Sequence, residues 1–281
     1  MATDRRHLLG DRYRLVSPLR QEDGGVMWQA HDLRLKRDVV VKEVRPPAGT
    51  GADDLAAARQ QALREARSAA RLTHPSVVTV HDLLEDQGRL WMVTELLRGL
   101  TLDETVRHLG RLPVHWAAWV GFQLLAGVQH AHVESIVHGD VNPSNVLLTE
   151  DRVVLTEFVF AGSAGTPRRP GSRLSYTAPE RLLGEAATAA SDLWSFGATL
   201  HFAVAGRAPG EPADAAGDDD SSDAAGPLRP VLDGLLRADP AERLSADAAS
   251  ALLVDLLRRQ GIAAALPGRR AEALQPGAFT M

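Results

Sequence analysis

The chain has no cysteine, so no disulfide can form, and at this length none is needed. Long hydrophobic runs are missing too. No stretch approaches the roughly 18 apolar residues of a bilayer span, and residues 1–10 lack the apolar core of a secretion signal. A membrane partner is therefore not expected, and the expected location is cytoplasmic. An excess of positive charge is also absent: the net charge is −5 and the pI near 6.1, which counts against nucleic acid or anionic lipid as the main partner. The ten histidines are scattered without metal-ligand spacing. Lysine is the scarcest cation, since only Lys36 and Lys42 among 31 basic residues are lysine. Lys42 lies in the apolar pattern Val39-Val40-Val41-Lys42-Glu43-Val44, where a compact ammonium differs from the planar fork that this chain uses elsewhere. A specific requirement for lysine at that point is the simplest explanation.

What is present is an ordinary globular composition, 44% hydrophobic and 24% charged over 281 residues, enough for one unit of two lobes. Residues 12–20, 26–30 and 38–44 alternate as strands, with a polar turn at 21–25. Residues 53–71 are rich in Ala and Leu, free of Pro and Gly, and read as a helix carrying Glu65. Strands are expected at about 77–84 and 89–94. Helices follow at 102–109, 114–133, 192–205, 228–237 and 245–259. The acidic interval 210–226 reads as a solvated loop, and the Ala/Gly/Pro-rich residues 261–281 as a loosely held tail.

The stretch Ile136-Val137-His138-Gly139-Asp140-Val141-Asn142-Pro143-Ser144-Asn145 brackets a Pro-containing turn between a carboxylate and an amide. The apolar strands 146–148 and 153–155 follow and deliver Glu157-Phe158-Val159. This order resembles the H-R-D-L-x-x-x-N and D-F-G motifs of protein kinases. The other motifs occur in that family's order: the strand ending in Lys42, Glu65 before Leu72-Thr73-His74-Pro75, Ala178-Pro179-Glu180, Ser191-Asp192-Leu193-Trp194-Ser195-Phe196-Gly197, and Asp239-Pro240-Ala241-Glu242-Arg243. The chain thus resembles a bacterial serine/threonine protein kinase domain from about Tyr13 to Leu257.

The resemblance implies an α+β bilobal fold, with an extension at 1–12, a small β-rich lobe at 13–95, a mainly helical lobe at 96–260 and the tail at 261–281. It implies ATP and Mg as cofactors, with Lys42 paired to Glu65 and to the phosphates. Gly25 of the turn and Thr94, Glu95 and Leu97 of the crossing between lobes become nucleotide-binding positions. Asp140 becomes the base, and Asn145 with Glu157 the metal ligands. Glu180 is expected to pair with Arg243, and Asp192 to brace the catalytic loop.

Three departures bear on activity. The glycines of G-x-G-x-x-G fall at 20, 22 and 25, where the chain has Arg20, Glu22 and Gly25, so side chains stand where bare backbone approaches phosphate. In the catalytic loop, Gly139 replaces the Arg that grips an activation-loop phosphate. Asn142 there replaces the Lys that meets the γ-phosphate, a loss that costs on the order of 10²–10³ in rate. Arg173 stands seven residues before Glu180, where the family has a Thr. Glu157 replaces Asp and extends the carboxylate by about 1.5 Å, against a magnesium ion that tolerates little deviation from about 2.1 Å. Val159 replaces the following glycine.

Three readings stay open. The first is a pseudokinase that holds nucleotide and presents a surface to a protein partner or regulator. The second is a slow or atypical kinase using Glu157 as metal ligand, and the third a scaffold that binds no nucleotide. Ser163, Thr166, Ser172, Ser175 and Thr177 lie among Arg168, Arg169 and Arg173, which reads as a basic loop, with phosphorylation by another kinase as the alternative. The resemblance implies a helix for substrate or regulator docking between about 205 and 228, and the Ala/Gly/Asp composition there points to weakened docking of protein substrates.

Overall fold

Alternation of apolar and polar residues across 13–44 becomes three long antiparallel strands, each hydrogen-bonded to the next. They are β2 (Tyr13–Glu22), β3 (Gly25–Asp32) and β4 (Arg37–Val44). The computed structural model describes residues 8–22, 25–44, 55–157, 174–211 and 225–266. Val159, Arg173, residues 163–172, most of the 210–226 interval and the tail beyond 266 lie outside the described residues.

The small lobe is a six-stranded sheet in the order β1-β2-β3-β4-β6-β5. Its edge strand β1 (Leu8–Leu9) pairs with Tyr13 and Arg14, so the sheet begins inside the stretch read as an extension. β5 (Val80–Asp86) and β6 (Arg89–Glu95) complete it. Leu9, Tyr13, Ala30, Val39, Val41 and Val93 are buried together as its core. Helix α1 (Leu55–Ala69) carries Glu65, as its lack of Pro and Gly predicts.

The strand expected at 77–84 starts three residues later than the apolar pattern indicates. Val77 forms a parallel bridge with Leu155, Val78 N–H donates to Leu155 O at 3.0 Å, and Leu155 N–H donates to Ser76 O at 2.9 Å. Residues 76–78 are therefore spent on joining the lobes. Short strand β7 (Leu100–Thr101) pairs with β8 (Val146–Leu148), and β8 pairs with β9 (Val153–Leu155).

Helices supply the rest of the large lobe: α2 (Leu102–Leu109), α3 (Val114–Val133), α4 (Pro179–Leu182), α5 (Ala189–Ala205), α6 (Arg229–Leu235) and α7 (Ala246–Arg259). Their starts follow local chemistry. Thr101 and Glu104 form a capping box at α2, Thr188 and Ser191 another at α5, and Ser245 caps α7. α3, α5, α6 and α7 pack around one core that includes Leu124, Val128, Phe196, Leu200, Leu235 and Leu253. Glu180 and Arg243 are joined by two 2.6 Å bonds in the buried interior. The remaining three N–H groups of Arg243 go to the carbonyls of Arg237, Ala190 and Ala238. The Arg243 guanidinium holds the Glu180 carboxyl below the usual range. This is the pairing that the resemblance implies. No helix among the described residues is long and apolar enough to cross a membrane.

Candidate active site

The floor of the site is the loop after α3, and it is held from below by one carboxylate. Asp192, in the first turn of α5, accepts from His138 N–H and Gly139 N–H at 2.8 Å each, and contacts His132 Nε2 at 2.9 Å. Asp192 thus braces the loop. His138 is fully buried. Its Nδ1 accepts from Asp140 N–H at 3.2 Å, which leaves the ring proton on Nε2 to donate to Thr156 O at 2.9 Å. Gly139 has φ 76°, a left-handed backbone that glycine adopts without the steric cost of a Cβ.

Asp140 is held by two amides. Asn142 Nδ2 donates to Oδ1 at 2.9 Å and Asn145 Nδ2 to Oδ2 at 3.0 Å, and both amides also reach the Asp140 carbonyl. Asn142 Oδ1 meanwhile accepts from Ser144 N–H at 3.0 Å and caps the 3-10 turn Pro143–Asn145. The residue at the lysine position is therefore buried and committed to the geometry of its own loop.

The roof is β4. Met27, Lys42 and Met92 lie in one register row across β3, β4 and β6, and Val40 pairs with Thr94 two residues along, so Lys42, Val40 and Thr94 share a face. Lys42 Nζ donates to Glu157 Oε2 at 2.6 Å. The resemblance pairs Lys42 with Glu65. In the structure Glu65 accepts from Gln61 Nε2, one turn earlier on α1, and the carboxylate on the Lys42 ammonium is that of Glu157. Glu157 sits at φ 60°, a left-handed conformation that costs a non-glycine residue roughly 1–2 kcal/mol. Two bonds from Thr156 to Asn145 O, at 2.9 and 3.1 Å, fix the backbone beside it.

Two buried oxygens in this floor have no hydrogen-bond partner: Asn145 Oδ1 and Glu157 Oε1. Asp140 offers acceptors only, so the Asn145 amide turns its NH₂ toward Asp140 and its oxygen away. Buried acceptors without donors are costly, and a hard divalent cation satisfies such oxygens. The two atoms fit the ligand pair assigned to magnesium. No group of three or more His, Cys, Asp or Glu able to hold a metal occurs among the described residues, so phosphate and water oxygens would have to complete the shell. A cation held there supplies charge neutralisation for a polyphosphate.

The crossing between lobes is held in place by its side chains. Glu95 Oε1 accepts from Thr79 N–H at 2.9 Å and Oε2 from Arg152 Nη2 at 2.7 Å. Arg152 Nη1 continues to Pro75 O at 3.2 Å. The Glu95 carboxylate is thus a strut between lobes, which leaves only its backbone for a ligand. Leu97 lines, with Pro75, Leu96 and Arg152, a groove of about 480 Å³, and none of Lys42, Asp140, Asn145 or Glu157 borders that groove. Gly25 begins β3 opposite Glu22, and the two residues between them are outside the described residues. Sequence reasoning did not find Arg152. An arginine in the β8–β9 turn carries no motif, and its role appears only once Glu95 is beside it.

The protein kinase domain family matches residues 21–253 of the chain. The serine/threonine-protein kinase PknA of Mycobacterium tuberculosis is 34% identical over 212 residues, covering 72% of this chain and 48% of that protein. Serine/threonine-protein kinase PrkC of Bacillus subtilis is 32% identical over 210 residues, 72% of this chain and 31% of that protein. A probable serine/threonine-protein kinase of Streptomyces coelicolor, SCO3848, is 33% identical over 213 residues, 72% of this chain and 31% of that protein. The chain therefore matches half or less of the length of these relatives. A two-lobed fold, a braced loop carrying Asp140, a roof lysine and a family match over most of the chain lead to one statement: the chain belongs to the protein kinase domain family.

Proposed function

We propose that this domain is a pseudokinase: it holds an adenine nucleotide between Lys42 and the Asn145–Glu157 oxygens, transfers phosphate poorly, and acts through a protein partner or regulator. The observation that carries this reading is the neutral Asn142 amide on Asp140 Oδ1, at the position where the resemblance places a lysine: it orients the carboxylate but supplies no charge for the γ-phosphate. Kinases turn over at about 1–100 s⁻¹. Losses of about 10² each at positions 142 and 157, taken as independent, would leave ~10⁻⁴–10⁻² s⁻¹.

The second reading, a slow kinase that uses Glu157 as metal ligand, is favoured by the unpartnered Glu157 Oε1 and Asn145 Oδ1. A phosphotransfer assay with Asp140→Asn as control separates the two. The pseudokinase reading expects no Asp140-dependent product above background. Product from the parent that vanishes in Asp140→Asn would refute it. Nucleotide binding is tested by unfolding with ATP and Mg²⁺, where a ligand at 100 times its Kd adds about 2.7 kcal/mol. No added stability at any ATP concentration would leave only the scaffold.

A further inference from the structure

The chain crosses from the small lobe to the large one at residues 96–99, between β6 and β7, and the β8–β9 hairpin grips that crossing at both ends. At the far end Leu100 and Thr101 pair with Leu148 and Leu147, and a Cβ on Gly99 would clash with the carbonyl oxygen of Leu148. At the near end Glu95, the last residue of β6, takes Arg152 Nη2 at 2.7 Å from the hairpin turn. That turn is closed on itself. Thr149 N–H donates to Arg152 O at 3.0 Å and Arg152 N–H to Thr149 Oγ1 at 3.1 Å, so the arginine leaves a braced backbone. Its Nη1 donates to Pro75 O at 3.2 Å, beside the residues 76–78 that join Leu155 of the same hairpin. Glu95 Oε1 completes the circuit by accepting from Thr79 N–H at 2.9 Å.

Two lobes joined by a short crossing move relative to each other unless contacts around the hinge resist. Here one guanidinium ties together the crossing, the 75–79 segment and the floor hairpin. Both charged side chains are about four-fifths buried, with 21% of Arg152 and 19% of Glu95 exposed, so solvent screens the pair less than a surface ion pair. We propose that Arg152 is the lock of the interlobe hinge: it holds the small lobe at one angle to the large one and thereby fixes the separation of the Lys42 roof from the Asn145–Glu157 floor. Arg152 is a positioning residue, five positions before Glu157 on the hairpin that delivers it. The lock does not depend on nucleotide binding, because none of its bonds uses Lys42, Asn145 or Glu157.

The chain has no cysteine, so spin labels can be attached through Arg34→Cys, exposed in the turn between β3 and β4, and Arg258→Cys, exposed on α7. Double electron–electron resonance on the full chain then reads the distribution of distances between the lobes. It is measured in this labelled parent and with Arg152→Ala, Arg152→Met or the control Arg98→Ala added. The methionine keeps an apolar stem and removes the fork. Arg98 is an exposed arginine on the same groove wall. The parent is expected to show one narrow peak, both position-152 variants a peak roughly twofold or more wider, and Arg98→Ala no change. Circular dichroism checks the fold, and the methionine variant decides the question if the alanine variant unfolds. A broad distribution in the parent overturns the inference. So does an unchanged width in folded position-152 variants, even with a lower urea midpoint, since the side chain then contributes stability alone. Equal broadening in Arg98→Ala overturns it as well, because loss of any cation from that wall would then suffice.

Discussion

At position 142 a side-chain amide does the work of a loop brace. Its oxygen caps Ser144 N–H and its NH₂ group holds Asp140, so its replacement is felt in stability as well as in chemistry. Asn142→Lys is expected to lower stability by about 1 kcal/mol through the lost cap. It is also expected to raise Asp140-dependent phosphotransfer on the order of 10²-fold, because a cation returns to the γ-phosphate position. Urea unfolding and a radiolabel assay on one preparation read both, and an unchanged rate would place the deficit at Glu157. Glu157→Gln removes the charge shared by Lys42 and the candidate cation site. The Mg²⁺-dependent part of ATP stabilisation is then expected to disappear while the Mg²⁺-free part persists, which thermal unfolding with ATP and EDTA distinguishes. Lys42, Asp140, Asn145 and Glu157 are legible in the sequence because each stands inside a short motif. The partner of Lys42 is not, since a strand residue and a residue 115 positions later meet only after both lobes have formed.

The elements that position the site depend on close backbone approaches and on one buried ion pair. A Cβ on Gly99 would clash with the carbonyl oxygen of Leu148, and backbone cannot swing aside as a side chain can. Gly99→Ala is expected to destabilise by about 1–3 kcal/mol and to shift the crossing away from β8, measurable as a lower urea midpoint. Glu180→Ala leaves Arg243 buried with its charge unmatched, and a loss of about 3–5 kcal/mol is expected in the same measurement. Element types and most boundaries are legible from periodicity and caps: the helices expected at 102–109 and 114–133 are the ones observed. Val77 and Val78 are the exception. Their apolar pattern suits a strand of the small sheet equally well, but their partner is Leu155 in the other lobe.

For the molecule as a whole, burial of neutral histidines and of paired carboxylates sets the response to acid. Burial lowers His74, which also stacks on His130 with ring centroids 5.1 Å apart, and burial lowers His81 and His201 as well. A histidine lowered in the folded protein gains its proton first in the unfolded chain. Stability is therefore complete above the ordinary value of 6.5 and declines as pH falls through it. A second loss lies deeper in acid. Arg12 holds the Asp32 carboxyl well below the usual range and Arg243 lowers Glu180. Both contributions are complete above the ordinary values of 3.8 and 4.5 and are lost as pH drops below them. Urea midpoints at pH about 8, 6 and 4 should fall in that order, and a flat profile between the first two would remove the histidine contribution.

By itself the amino-acid sequence determined the class of fold, the order of its elements and the location of the catalytic-type motifs, because periodicity, capping and motif spacing are properties of neighbouring residues. Tertiary structure alone decided which charges face each other. The pairing of Lys42 with Glu157 depends on packing between lobes, whereas the clamp of Asp140 by two amides closes inside a single turn. A side chain's partner is set by distances of a few ångströms between segments more than a hundred residues apart, and no local pattern encodes those distances.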